Sequence, residues 1–235
     1  MLTSTDGGVS WSSPVPIAVT DAVGAIPVVR RNGALVVVYN WGGRLIASST
    51  SRDGALSFAP AVEVAEIQVR SPRGLRFFPL PSADVDSSGR VWATWHDCRF
   101  DQGCDVNSVV VATSPDGSAW SAPVAITSGR NAFIPAIGIH PRTGRVAVAY
   151  YVLRPGGGID AELVESTGRV DRFGAPRRLS AQTMRPTWLP NTVSGRMLAD
   201  YISVHYAANR PLVAWVLASE PVGSRFRQAV YATLG

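Results

Sequence analysis

Ser4-Thr5-Asp6-Gly7-Gly8-Val9-Ser10-Trp11, followed by Ser12-Ser13-Pro14-Val15-Pro16-Ile17, is the stretch on which the fold turns, because the chain repeats it. Ser51-Arg52-Asp53-Gly54-Ala55-Leu56-Ser57-Phe58 precedes Ala59-Pro60-Ala61-Val62-Glu63-Val64. Ser114-Pro115-Asp116-Gly117-Ser118-Ala119-Trp120 precedes Ser121-Ala122-Pro123-Val124-Ala125-Ile126. A worn fourth copy runs from Ser166 to Phe173 and continues Gly174-Ala175-Pro176-Arg177-Arg178-Leu179. The spacing is 47 residues from Asp6 to Asp53, 63 from Asp53 to Asp116 and 53 from Trp120 to Phe173. Repetition at such a period indicates a repeat architecture. In each copy a carboxylate can accept backbone N–H groups, glycine supplies a positive φ, and the aromatic ring packs between strands. Ser4, Asp6, Gly8, Trp11, Ser51, Asp53, Phe58, Ser114, Asp116, Gly117 and Trp120 are therefore expected to specify the fold and to take no part in catalysis.

A second repeat lies between these turns. Pro27–Gly33 leads into Ala34–Tyr39, Ala83–Arg90 into Val91–Trp95, Ile137–Arg145 into Val146–Tyr150, and Ile202–Pro211 into Leu212–Val216. Each is a β-branched or aromatic run, a Gly, Asn or Pro turn, and a second such run, which is a hairpin pattern. No segment sustains a 3.6-residue apolar period. The chain is expected to be all-β, a β-propeller of four-stranded antiparallel sheets with four blades' worth of sequence. A single domain over 1–235 follows, with units at about 24–67, 80–129 and 133–180, and a last unit joining 1–20 to 196–235. A piece of a propeller with six or more blades is expected in preference to a closed four-bladed ring, and as an open arc it would leave strand edges free to associate.

Composition narrows the partners. Of 235 residues, 46% are hydrophobic and 17% charged, which excludes a disordered chain. The longest apolar run, Val146 to Leu153, is far short of the ~20 residues of a spanning helix, so membrane insertion is not expected. All 22 cationic residues are arginines and the net charge is +5, yet they are scattered, with no dense basic run that would indicate a nucleic-acid partner. Cys98 and Cys104 enclose a short polar loop without metal-ligand spacing, and a disulfide there implies an oxidising compartment. No metal site is expected. Calcium among Asp101 and Asp105 is a weak prospect, since it needs about six or more oxygens.

The turns resemble Asp boxes, also called bacterial neuraminidase repeats, of the sialidase-like β-propeller superfamily. Ser4–Trp11 is close to the full consensus, and Trp95-His96-Asp97-Cys98-Arg99 and Asp200-Tyr201 resemble segments of secreted bacterial members. The resemblance covers essentially the whole chain and implies a secreted or cell-surface glycoside hydrolase acting on carbohydrate, including sialylated or other acidic glycans. Family sialidases clamp the substrate carboxylate with three arginines and use a tyrosine nucleophile, a helper Glu and an Asp acid/base. The Phe/Tyr-Arg-Ile-Pro motif that carries the family's first arginine has no counterpart here. Ala25-Ile26-Pro27 and Phe133-Ile134-Pro135 lack the arginine, and Arg76-Phe77-Phe78-Pro79 has one in the wrong context.

Residue by residue, the resemblance puts Tyr201 forward as nucleophile, Asp97 as acid/base and Glu165 as helper, with Glu162 near it. Arg76, Arg99 and Arg196 are the candidates for carboxylate binding. Each has a plainer role: Asp97 pairing with Arg99 or capping the cysteine loop, Tyr201 packing in a core, the arginines bracing loops. His96, His140 and His205 lack ligand spacing. The expected function is an exo-α-sialidase-type hydrolase or its catalytically impaired descendant. The alternative is a non-catalytic glycan- or protein-binding propeller, and a third reading is a remnant without independent function. The chain is expected to be a monomer or to associate through its free edges.

Overall fold

The computed structural model describes residues 1–235 except 18, 19, 73, 170 and 171. Its first sheet comprises β1 (Ala22–Val29), β2 (Leu35–Trp41), β3 (Leu45–Ser51) and β4 (Val62–Glu66), paired in that order. After the short β5 (Leu75–Arg76), a second sheet follows from β6 (Ser82–Val85), β7 (Val91–Asp97), β8 (Ser108–Ser114) and β9 (Val124–Ala125). The third has β10 (Asn131–Ile139), β11 (Val146–Leu153) and β12 (Ile159–Arg169), with both β13 (Arg172–Phe173) and β14 (Arg177–Arg178) pairing β12. β15 (Asn191–Thr192) and β16 (Gly195–Met197) then precede a last sheet of β17 (Ser203–Ala207), β18 (Arg210–Val222) and β19 (Arg225–Leu234). Except for β16 with β5, the pairs are antiparallel, and the fold is all-β as expected.

Alternation within the strands fills the spaces between sheets, because successive side chains point to opposite faces. Val36, Val38 and Ile46 of the first sheet meet Val91, Ala93 and Trp95 of the second. Trp92 and Val109 on the other face of the second meet Ile137, Val148 and Tyr150 of the third. Phe133, Tyr151 and Leu163 then meet Val204, Val213 and Trp215 of the fourth.

The Ser-x-Asp turns are local hydrogen-bond cages. Ser51 Oγ donates to Asp53 Oδ1 at 2.8 Å, and the Ser57 N–H donates to the same oxygen at 3.0 Å. Bonds from Ser57 hold the Asp53 carboxyl down at about 2, and similar bonds lower Asp6 and Asp116. Gly117 shows why the third copy needs glycine, beyond its φ of +84°. A Cβ there would stand 2.4 Å from Val36 Cγ2, while its carbonyl accepts from Ser48 Oγ at 2.9 Å and Trp120 Nε1 donates to that hydroxyl at 3.0 Å. The turn of the second sheet thus docks on the first.

Two expectations are corrected. Residues 1–17 do not complete the last sheet, which has three strands among the described residues. Residues 1–17 instead lie on the first sheet, where Met1 and Ile17 pack against Val37, Tyr39 and Ala47, and Ser49 Oγ donates to the Ile17 carbonyl at 2.7 Å. Trp11 accordingly does not pack between strands and is 62% exposed. Trp120 by contrast reaches back to the first sheet, and Phe58 packs on its own sheet against Val37, Tyr39 and Ala47. In the worn fourth copy, Val170 and Asp171 lie outside the described residues, and β12 runs through to Arg169.

Candidate functional site

Every sheet begins with its innermost strand at the same end of the molecule, here the upper end. Ala22 opposes Trp41, Ser82 opposes Thr94, Asn131 opposes Leu153 and Ser203 opposes Ala214. These four strands converge on one cleft of about 310 Å³, lined by Ile26, Asp84, Ile137, Tyr201 and His205. It continues past Leu80, Asp200 and Tyr201 into a wider mouth with Asp21, Arg76 and Phe78.

The parallel pairing of β5 with β16 builds the mouth. Arg196 pairs with Leu75 and Met197 with Arg76, so a segment between the first two sheets is stapled to one just before the last. Gly195 is required there, because its φ is +123° and a Cβ would meet the Arg76 backbone nitrogen at 2.8 Å. The staple delivers Arg76 to Asp200, with Nη1 donating to Oδ1 at 2.9 Å. The guanidinium also stands 5.4 Å from the centre of the Phe78 ring. Tyr201, next along, is 54% exposed.

Of the sequence candidates, the structure brings Arg76 and Tyr201 together at the mouth and pairs Asp97 with Arg99 outside it. Asp97 is fully buried and gripped by Arg99, which donates through Nη2 to Oδ2 at 2.7 Å and through Nε to both oxygens at 3.1 Å. Arg99 also donates to the Glu66 carbonyl, and the pairing with Asp97 raises its own pKa. These bonds brace the loop closed by the Cys98–Cys104 disulfide. Within that loop Asp101 Oδ2 accepts from the N–H groups of Asp105 and Val106, both at 3.3 Å. Arg196 donates to the Leu189 carbonyl at 2.6 Å and so ties down the loop before β15.

Glu165 opposes Ala147 on β12, at the end remote from the cleft mouth, about 20 Å of extended strand from Ile159. There it accepts from Arg145 Nη2 at 2.8 Å and from the Tyr206 hydroxyl at 3.4 Å. Burial and the Glu165 charge push that phenol up to about 12. Glu162, 3% exposed, faces the second sheet and is held by Arg130, Arg154 and the Tyr150 hydroxyl. Among the described residues, no three His, Cys, Asp or Glu side chains converge as a metal site would require.

Sequence reasoning missed Asp84, Asp21 and Phe78, and passed over His205 for want of ligand spacing. Burial raises the Asp84 carboxyl, against the pull of the Val85 and Ile139 N–H groups, each donating at 2.7 Å, and of His205. The available signal was an acidic residue at an inward position of a first strand, Ala83-Asp84-Val85. Chemically the cleft offers the rings of Tyr201 and Phe78, the His205 imidazole, one engaged arginine and three carboxyls, a balance weighted toward negative charge.

No family model matches the chain, and no curated protein matches it. Solved structures do. A protein of unknown function from Dyadobacter fermentans DSM 18053 is 15% identical with a TM-score of 0.57, over 99% of this chain and 66% of that one. Penicillium chrysogenum alpha-L-arabinanase, complexed with arabinobiose, is 13% identical with a TM-score of 0.56, over 98% and 68%. The Hadza microbial sialidase Hz136 is 14% identical with a TM-score of 0.52, over 91% and 56%. The chain thus spans between 56% and 68% of the length of these three. At these identities the likeness is one of fold, and the chain has the all-β fold found among β-propeller glycoside hydrolases.

Proposed function

We propose that this chain is an extracellular glycan-recognising protein whose sugar site is the cleft beneath Tyr201. The observation that carries the reading is the mouth itself, where the exposed Tyr201 and Phe78 flank the Arg76–Asp200 pair. Rings stack on the apolar face of a sugar, and charged side chains hydrogen-bond its hydroxyls. The charge balance favours uncharged glycans over sialylated ones. Arg76 is already engaged by Asp200, Arg99 and Arg196 are tied to loops, and Asp21 and Asp84 add negative charge.

A hydrolytic reading of the exo-sialidase type retains Tyr201 as nucleophile and is favoured by its exposed place beside Asp200. Against it stands Glu165 at the far end of its strand. Calorimetry with neutral and sialylated oligosaccharides tests the proposal, alongside fluorogenic α-sialoside and α-L-arabinofuranoside turnover, each with Tyr201→Phe and Tyr201→Ala. Binding of neutral sugars that is lost in Tyr201→Ala supports the first reading. Sialoside turnover lost in Tyr201→Phe replaces it with the second, and neither binding nor turnover refutes both.

A further inference from the structure

We propose that the cavity between the upper ends of the second and third sheets is an anion site, in which Arg130 and Arg154 take up a singly charged oxyanion, the carboxylate or sulfate ester of an acidic glycan. The cavity is about 490 Å³, and Val106, Ser128, Arg130, Asn131, Leu153 and Arg154 are among its walls. No carboxylate side chain lines it among the described residues, whereas Asp21, Asp84 and Asp200 line the cleft and its mouth. The two openings thus have opposite electrostatic character.

The arginines are held in place by acids that stay out of the cavity. Arg130 Nη1 donates to both oxygens of Glu162, at 2.8 and 2.9 Å. Arg154 donates through Nε to Asp160 Oδ2 at 2.9 Å and through Nη2 to Glu162 Oε1 at 2.8 Å. Arg178 pairs with the other Asp160 oxygen at 3.0 Å. Both carboxylate side chains are 3% exposed, but those of Arg130 and Arg154 are 32% and 36% exposed. Each guanidinium is therefore anchored along one edge and open along another. Nε and Nη2 of Arg130 and Nη1 of Arg154 have no partner among the described residues. Three arginines against two carboxylates leave one positive charge uncancelled. A guanidinium already fixed by a carboxylate loses little freedom on taking an oxyanion, and its planar fork matches two of the oxygens of such an anion.

Neutral donors complete the wall. Asn131 turns its Oδ1 to Asn107, whose N–H and Nδ2 donate at 3.4 and 3.3 Å, so its own Nδ2 is left for a ligand. Ser128, exposed, adds a hydroxyl to the lining. Asn131 also ties the site to the cleft. It begins β10, and Ile134, three residues on, lines the cleft, about 10 Å away along an extended strand. A glycan with a neutral residue in the cleft can therefore place an acidic group further along its chain at Arg130. That the anion belongs to a glycan rests on the sugar reading of the cleft; the anion site itself does not.

The test titrates the folded, isotope-labelled chain with methyl glucuronide, methyl glucoside sulfate and neutral methyl glucoside at constant ionic strength, followed by NMR. Expected are saturable shifts of the Gly129 and Asn131 amides with an acidic probe and none with the neutral one. The acidic probe that saturates at the lower concentration identifies the group. Ser128→Asp offers the arginines a competing carboxylate and should weaken this binding about tenfold. Arg52→Gln removes the same unit of charge from an exposed turn at the other end of the molecule and should leave it unchanged. Both variants keep Arg130, Arg154 and their buried partners. A folded chain with no saturable shift from either acidic probe overturns the proposal, and so does equal weakening in the two variants, which marks nonspecific attraction. Neutral oligosaccharides are titrated in parallel and read at Ile134 and Tyr201, so the two readings fail separately. Anion shifts without sugar shifts keep the anion site and refute the sugar reading of the cleft, and the converse overturns the anion site alone.

Discussion

Arg76 and Asp200 lie 124 positions apart and meet at 2.9 Å, because β5 and β16 run parallel beside the cleft. The pair holds the mouth in shape and leaves Tyr201 facing outward. Both side chains are partly exposed, so the bond itself adds little stability, about 0.2–1 kcal/mol. Arg76→Ala should lower the melting temperature only slightly yet weaken sugar binding about tenfold, through loss of one charged hydrogen bond worth ~1.5 kcal/mol. Calorimetric titration beside a thermal melt checks both halves.

His96 is fully buried against Phe77, and neither ring nitrogen has a partner among the described residues. Burial lowers its pKa from 6.5 to about 3. Below pH 6.5 the unfolded chain binds a proton that the folded chain refuses until about pH 3. Stability should therefore fall as pH drops through that window, by up to ~1.4 kcal/mol per pH unit. Urea unfolding at pH 7, 5 and 4 should show this slope in the wild type and a shallower one in His96→Phe.

Asp160 and Glu162 are each 3% exposed and share Arg154, with Arg178 and Arg130 completing the network. Removing Arg130 and Arg154 together strands the Glu162 carboxylate in the interior, with the Tyr150 hydroxyl as its remaining side-chain partner. The double alanine variant should lose about 3–5 kcal/mol at pH 7. Denaturant titration at pH 7 measures the loss.

Gly117→Ala and Gly54→Ala separate backbone strain from crowding. Both glycines have positive φ, +84° and +76°, but only Gly117 has atoms in the way. Gly54→Ala should cost about 1 kcal/mol and Gly117→Ala about 2–4 kcal/mol, since the latter also forces the second sheet off Val36. Chemical denaturation of the two variants decides it.

The sheets were legible because their causes are local. The alternation of Val91–Trp95 and the turn at Ser87-Ser88-Gly89 need no distant partner to form a hairpin, and Asp53 builds its turn from neighbours within four residues. The plainer readings of Asp97, Arg99 and the cysteine loop were also open to sequence reasoning, since Asp97 and Arg99 are two residues apart and the cysteines six. Trp11 was misread because the burial of a turn aromatic depends on the sheet beneath the turn, and residues 1–17 lie on the first sheet with Met1 and Ile17 packed inward and Trp11 outward.

The amino-acid sequence by itself thus determined the repeating strands, the Ser-x-Asp turns and the disulfide-closed loop, all contacts made within a few residues along the chain. Only the tertiary structure decided that Arg76 meets Asp200, that Asp84 and His205 face the cleft, and that Glu165 lies at the far end of β12. Those outcomes depend on how one sheet is rotated and stacked against the next. That is set by packing between faces far apart in sequence, and no local pattern encodes it.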